Sequence, residues 1–432
     1  MGLKYQAPRG TRDLLPGEVE RWQWAEGRAR GVLERYGYRE IRTPLFEEYE
    51  LFARTSGESS EVVQKEMYRF QDLGGRDLAL RPEGTAGVCR AYLQHQLAGR
   101  GRIHRLWYMG PMFRYGRPQK GRFRQFWQIG AEAIGTEAPG ADIEVIALFV
   151  DVFEVWGFEA LTVALNSLGT PATRRKYGEM LRAWLEPVRE KLTPDARTRL
   201  EANPLRVLDT KDEDDLRVMR ETPREMPRML DALDADDRTH FDEVRAGLDA
   251  LGIAHEQDHG LVRGLDYYTR TAFEVHDRTL GAQSALGGGG RYDGLIEALG
   301  GPATPGVGFS IGLDRALLVL EGRSAVAPEA RAGVFVVAME GTRRDALALT
   351  RELRREFAVD CDLEARGFGA QMKGAGKSGA RLAVLLGEEE WKRGEVVVKD
   401  LERGEQETVP RERLAATLRE RLAAPRVEGA TP

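Results

Sequence analysis

Over residues 123–134 the side chains alternate with the period of a strand, and the two faces differ in kind. Phe123, Trp127, Ile129, Ala131 and Ala133 form an apolar face. Arg124, Phe126, Gln128, Gly130 and Glu132 form the other, too polar for a core and too aromatic for plain solvent. That second face reads as the floor of a site for something small and charged. The strand closes a hairpin spanning 110–135 whose loop is basic. From Arg100 to Arg124 the chain carries eight Lys or Arg and no acid, although its formal net charge is −5.

The same kind of pattern places the other elements. Val19, Trp22, Ala29, Val32, Leu33 and Tyr36 recur at helical spacing, so 17–36 is predicted as an amphipathic helix stopped by Gly37. A strand over 38–43 ends at Pro44, which cannot donate to a central ladder and marks a sheet edge or an interface. A short strand at 77–81 runs into RPEGTAG (81–87), with a helix from about Ala86 and Thr85 as its N-cap. A helix over 142–156 and a strand over 161–165 follow. The stretch 171–257 is dense in charge, helix-prone and punctuated after Pro171 by five further prolines, which predicts an inserted helical subdomain. Strand-like sequence resumes at 261–262 and 271–276, then a glycine run (287–290) before RYDGL, then strand, tight turn and helix over 306–320.

A Gly/Ser/Ala/Pro linker (322–330) precedes strands at 334–339, 359–363, 382–386 and 395–399 that alternate with helices, the last from Pro410. This predicts a small α/β domain. The expected division is a core of 1–170 with 258–325, a helical insert of 171–257, an α/β domain of 331–421 and a frayed tail of 422–432.

Composition narrows the class. At 432 residues, 42% hydrophobic and 31% charged, the chain has the make-up of a multi-domain globular protein. No apolar run approaches the ~20 residues of a membrane helix. The N-terminal MGLKYQAPRGTRD has no apolar signal core and Gln6 spoils a myristoylation site, so the cytoplasm is the expected compartment and no membrane is expected as partner. Cys89 and Cys361 suggest neither a disulfide framework nor zinc. His255 and His259 lack companions, and no resident metal site is predicted. GAGKSGA (374–380) lacks the first glycine of a P-loop and reads as a basic turn or helix surface.

Candidate chemistry gathers on the hairpin. Arg114, Arg117, Lys120, Arg122 and Arg124 read either as a solvated turn or as a phosphate-binding cluster; guanidinium groups on a face with Phe126 favour nucleotide contact. Glu132 is either a substrate carboxylate or a structural partner of an arginine. Glu83 stands in a loop at a strand end. Arg263, Tyr267, Tyr268 and Arg270 occur in LVRGLDYYTRTAFEV (261–275), where adjacent tyrosines are as readily packing residues. Arg315 falls in a helix's first turn, suited to phosphate or to a salt bridge with Asp314 or Glu321.

Together these stretches resemble the class II aminoacyl-tRNA synthetases, and among them the histidyl-tRNA synthetase family, over about 1–421. The helix and strand ending at Pro44 match the family's first class motif, a dimer interface; FRYGRPQKGRFRQFWQIGAE and GVGFSIGLDR match the second and third. LVRGLDYYTRTAFEV and GGGGRYDGL match two histidine-specific signatures. The resemblance implies an α+β fold, an antiparallel sheet core with helices, an inserted helical subdomain and a C-terminal α/β anticodon-binding domain. It implies a histidine–tRNA ligase: ATP, with Mg2+, and L-histidine form histidyl-adenylate, and the histidyl group passes to tRNA(His), in a homodimer. Carried over by position, Glu83 and Gln128 hold the ammonium group with Thr85 beside it, Glu132 and Tyr268 read the imidazole, and Tyr267 lines the pocket. Arg114 and Arg263 grip the carboxylate and α-phosphate as the catalytic pair. Phe126, Arg122 and Arg315 join Arg114 on ATP, and Arg117, Gln119 and Arg124 meet the tRNA acceptor end. One departure stands out. The family usually has Arg-x-Glu where this chain has Arg114-Tyr115-Gly116, which puts adenine contact and ATP affinity in question. A class II synthetase for another amino acid, or the non-catalytic regulatory paralogue of ATP phosphoribosyltransferase, is the competing expectation.

Overall fold

The computed structural model describes residues 5–57, 60, 62–117, 121–208, 210, 212–261, 267–283, 285–322, 333–364 and 366–423. The chain divides into two compact units, Met1–Ala327 and Pro328–Pro432. The expected linker (322–330) and tail (422–432) lie almost wholly outside the described residues, as do Lys120, Gln119 and Arg263.

In the first unit the strands are β1 (Arg39–Glu40), β2 (Phe46–Glu48), β3 (Arg69–Gln71), β4 (Asp77–Leu80), β5 (His104–Phe113), β6 (Gln125–Ile134), β7 (Leu161–Ser167), β8 (His255–Gln257), β9 (Thr269–Asp277), β10 (Ala285–Arg291) and β11 (Gly306–Gly312). Among the described residues eight of these form one sheet in the order β1-β5-β6-β11-β10-β9-β7-β8, and β2-β4-β3 form a small second sheet. The large sheet is antiparallel except at its two margins, where β1 runs parallel to β5 and β8 parallel to β7.

The alternation along β6 decides how the sheet is used. Ile129, Ala131 and Ala133 sit in a core with Phe149, Phe153, Phe273 and Phe309, beneath the helices Val19–Arg35, Pro139–Glu154 and Leu313–Gly322. Each fully buried aromatic there contributes about 2–3 kcal/mol. The even-numbered face of β6 looks toward the helix Thr85–Gln94, whose Val88, Cys89 and Tyr92 pack with Tyr108, Met112 and Tyr292. The site lies on that second face, between sheet and helix.

The predicted strand at 38–43 contracts to Arg39–Glu40 at the sheet margin, since Pro44 lacks the N–H that would extend the ladder. The helical stretch after Pro171 has its own core around Tyr177, Leu181, Trp184 and Leu200. Its boundary differs from the sequence expectation. His255–Gln257 belongs to the large sheet, and Phe241, Val244 and Leu248 of the helix Ala235–Ala250 pack into the sheet's core rather than the insert's. Local charge density hid this, because only one stripe of that helix is apolar.

The second unit is a five-stranded sheet. It comprises β12 (Val334–Ala338), β13 (Val359–Cys361), β14 (Leu382–Leu386), β15 (Glu395–Asp400) and β16 (Gln406–Pro410), ordered β13-β12-β14-β15-β16. The first three are parallel and the last two join antiparallel. β16 escaped the sequence reading because only Val409 of its five residues is buried, so no alternation shows.

Candidate active site

Glu132 is the centre of the site. It is fully buried, and three hydroxyls converge on it: Tyr292 Oη donates to Oε2 at 2.6 Å, Thr85 Oγ1 to Oε1 at 2.7 Å and Tyr108 Oη to Oε1 at 3.4 Å. Burial pushes its carboxyl up to about 8; the hydroxyls oppose the shift and the nearby Glu83 adds to it. The structural alternative, in which Glu132 pairs with an arginine, is not what is found. Among the described residues its partners are these hydroxyls and not an arginine.

Glycines make room for this arrangement. Gly308 is the register partner of Glu132 across β11 and β6, and a Cβ there would collide with the carboxylate. The Tyr108 ring fills the space where Cβ atoms of Gly84 and Gly130 would stand. The glycine run 287–290 serves packing. A Cβ at Gly289 would lie 2.7 Å from the Phe273 ring, and one at Gly290 would lie 2.6 Å from the Thr271 carbonyl oxygen. These are strand positions in mid-sheet, not a ligand-cradling loop.

Glu83 lies beside Glu132 and is also buried. Its Oε2 accepts from Thr85 N at 2.6 Å and its Oε1 from Ala86 N at 2.9 Å. Glu83 therefore caps the helix Thr85–Gln94, and Thr85, expected as the cap, is its first residue with its hydroxyl turned to Glu132. Burial raises the Glu83 carboxyl, while the two backbone N–H groups and the charge of Arg114 act against the rise.

These groups line a cavity of about 120 Å³ together with Arg114, Tyr267, Tyr268 and Tyr292. The predicted Glu83, Thr85, Arg114, Glu132, Tyr267 and Tyr268 are thus brought together. Tyr292 and Tyr108 were missed, although Tyr292 lies within RYDGL, where a tyrosine directly after a buried strand was the available signal. Gln128 lies on the same face of β6, 7% exposed, and its Oε1 has no hydrogen-bond partner among the described residues. An orphaned buried acceptor is rare in folded proteins.

The basic residues divide. Arg114 donates from Nε to the Pro82 carbonyl oxygen at 2.9 Å, and its guanidinium lies 5.5 Å from the Phe126 ring centroid. Arg315 is held below its usual range by burial and by the like charge of Arg122, so these two cations share a neighbourhood, with Glu274 near them. The two carboxylates anticipated as partners of Arg315 each meet another arginine: Asp314 meets Arg12 at 3.3 Å, and Glu321 meets Arg21 at 3.3 Å. Arg124 lies 3.7 Å over the Tyr115 ring, and Arg117 is exposed.

With this geometry in place, comparison with known proteins is decisive. A family model described as histidyl-tRNA synthetase matches residues 10–316, and one described as an anticodon binding domain matches 333–421. The chain belongs to the histidyl-tRNA synthetase family. The histidine–tRNA ligase of Thermosynechococcus vestitus is 48% identical over 415 residues, 96% of each chain. The apo histidyl-tRNA synthetase of S. aureus aligns with a TM-score of 0.80 at 37% identity, covering 96% of this chain and 99% of that one. An ATP phosphoribosyltransferase regulatory subunit/histidyl-tRNA synthetase from Bacillus halodurans shares the fold alone, at 22% identity and a TM-score of 0.64 over 89% of this chain and 99% of that one. Within the family frame Gly116 keeps its interest. A Cβ there would stand 3.3 Å from Glu66 Oε1, so an acidic side chain at 116 would share its space with a carboxylate already present.

Proposed function

We propose that the chain ligates L-histidine to tRNA(His) through a histidyl-adenylate, with the cavity at Glu132 taking the amino acid. The observation that carries this reading is a buried carboxyl ringed by hydroxyls in a small cavity that a second carboxylate and an arginine also line. Glu132 accepts from the imidazole N–H with Tyr268 on the other ring nitrogen, and Tyr267 forms the wall. Glu83, Thr85 and the bare Oε1 of Gln128 receive the α-ammonium. A site built to hydrogen-bond a polar side chain rejects apolar amino acids strongly, because its buried groups would be left unpaired.

Arg114, together with Arg263, then orients the substrate carboxylate toward the α-phosphate of ATP. An oxygen of that carboxylate forms the bond to phosphorus as the bond to pyrophosphate breaks. Negative charge grows on the phosphoryl oxygens, where fixed guanidinium groups stabilise it; one such donor is worth about 3 kcal/mol. Arg122 and Arg315 hold the outer phosphates, Phe126 stacks on adenine, and a ribose hydroxyl of the tRNA finally displaces AMP from the histidyl carbonyl. Arg117, Gln119 and Arg124 meet the tRNA acceptor end, the stacked guanidinium of Arg124 presenting a fixed cation.

Mg2+ suits this site as a companion of the nucleotide. Among the described residues no three acids, histidines or cysteines gather as a resident metal site, and Mg2+ is commonly held by one or two carboxylates with substrate phosphates. Glu274 beside Arg315 would be that carboxylate, and the ion would supply charge neutralisation.

A homodimer through the helix and strand ending at Pro44 fits the exposed Leu45 and Phe46 that follow directly, with exposed Phe70 beside Phe46. The buried free cysteines suit the cytoplasm. The test is charging of tRNA(His) with labelled histidine in the presence of ATP. Stoichiometric histidyl-tRNA supports the proposal, and no charging with correctly folded enzyme removes it.

A further inference from the structure

The strand β9 contains an irregularity whose two residues are both gripped by one helix, Ala235–Ala250. Across β10 and β9, Gly290 pairs with Ala272, but the next residue, Arg291, pairs with Thr269. Arg270 and Thr271 are therefore accommodated as a bulge. Arg270 has φ +46°, a left-handed conformation that a long L side chain adopts only when its surroundings impose it.

Those surroundings are specific. The Arg270 N–H donates to the Gly169 carbonyl oxygen at 3.0 Å, and its own carbonyl accepts from Leu168 N at 2.6 Å. Its Nε donates to Asp237 Oδ1 at 3.0 Å. Asp237 is buried in the first turn of the helix Ala235–Ala250, and its other oxygen accepts from Thr170 N at 2.9 Å and Thr173 Oγ1 at 3.0 Å. One carboxylate thus joins the starts of two helices, Pro171–Leu185 and Ala235–Ala250, to the bulge. One turn further along the second helix, His240 Nε2 lies 3.4 Å from Thr271 Oγ1 and 3.4 Å from Asp142 Oδ2. Asp237 and His240 stand three apart on one helical face, so successive turns hold the two bulge residues in order.

What precedes the bulge gives the grip its consequence. Tyr268 and Tyr267, immediately upstream of Thr269, line the cavity at Glu132. Tyr268 lies against β10, where a Cβ at Gly290 would come within 2.8 Å of its ring. The two tyrosine rings pack at a 45° tilt with centroids 4.6 Å apart. The backbone direction at Arg270 therefore sets where both rings stand.

We propose that Asp237 and Arg270, seconded by His240, are positioning residues for amino-acid recognition: the helix Ala235–Ala250 clamps the β9 bulge and so aims Tyr267 and Tyr268 at the substrate's side chain. This rests on the reading that the cavity takes histidine. Neither Asp237 nor Arg270 lines that cavity, so their effect on substrate passes through the tyrosines.

The test uses the full chain and histidine-dependent ATP–pyrophosphate exchange. Arg270→Gly removes the ion pair yet leaves a residue for which φ +46° is unstrained, and Asp237→Asn keeps shape while removing the charge. Both should raise KM for histidine roughly tenfold or more, since small misplacements of substrate-binding groups are costly, while KM for ATP stays within about twofold of wild type. His240→Gln, which leaves the ion pair intact, should give a smaller rise in the same direction and serves if Asp237→Asn does not fold. Unchanged histidine KM in Arg270→Gly, or equal rises for histidine and ATP, would overturn the proposal. A wild-type enzyme showing exchange with another amino acid and none with histidine would instead remove the underlying reading of the cavity.

Discussion

Gly308 and Glu132 face each other directly across β11 and β6, and the carboxylate occupies the volume that any side chain at 308 would need. The pairing explains how a buried acid is seated in the middle of a sheet: the neighbouring strand gives up its side chain. Gly308→Ala should displace Glu132 and strain the Ala131 carbonyl, which would also lie close to the new Cβ. Expected is a rise of at least about tenfold in KM for histidine with a loss of about 1–3 kcal/mol in stability, the usual range for overpacking. Exchange kinetics at varied histidine and thermal unfolding on the same sample check both parts.

The protonation of Glu132 makes a second prediction. Its folded-state pKa of about 8 stands above its ordinary 4.5, so the proton stabilises the ligand-free fold at low pH. That contribution is lost as pH rises toward about 8. Binding should involve the same proton. A buried carboxylate without a cation is costly, so the complex keeps one proton between Glu132 and the imidazole, whose free value is about 6.5. Affinity should be flat between about pH 6.5 and 8 and fall on either side. Calorimetry near pH 7.2 in two buffers of different ionisation enthalpy should show almost no proton exchange; release of a whole proton would contradict this. In Glu132→Gln the fall above pH 8 should vanish, and KM should rise well over tenfold because the acceptor is weaker.

Gly116 offers a gain-of-function test. Glu66 Oε1 is the end of a flexible side chain, so the 3.3 Å approach to a new Cβ is relieved by a small rotation. Gly116→Glu should therefore fold normally and lower KM for ATP by about threefold or more, the scale of one exposed charge-assisted contact. Histidine KM should not move. Exchange kinetics at varied ATP are the check, and an increase in ATP KM would show that Glu66 and a second carboxylate cannot coexist there.

The two compact units have separate cores. A chain ending at residue 327 should retain histidine-dependent exchange while tRNA charging falls by about a hundredfold or more, the cost of losing one of two linked binding surfaces. Measuring both reactions on the truncated protein separates amino-acid activation from tRNA recognition. Equal loss of both would contradict the division of labour.

Much of the site was legible because strand periodicity is short and strict. The alternation over 123–134 alone separated the core face of β6 from the face bearing Gln128 and Glu132, and the charge bias of 100–124 marked the loop. What escaped depends on partners distant in sequence. Tyr108 reads as one more aromatic in a buried strand until Gly84 and Gly130 are seen to make way for it. Glu83 as the helix cap and Thr85 as a donor to Glu132 exchange roles that composition assigns the other way. The bulge at Arg270 leaves no periodic trace, because the residues holding it, Asp237 and His240, lie some thirty positions earlier in a helix that otherwise reads as solvated.

On the proposed reading the cavity around Glu132 selects histidine for activation. The decisive experiment is amino-acid-dependent ATP–pyrophosphate exchange, run on the wild-type protein with each of the common amino acids at equal concentration. Exchange with histidine exceeding every other amino acid by about a thousandfold or more is the predicted result, as expected of a pocket that hydrogen-bonds its substrate's side chain. Equal or greater exchange with another amino acid would contradict it.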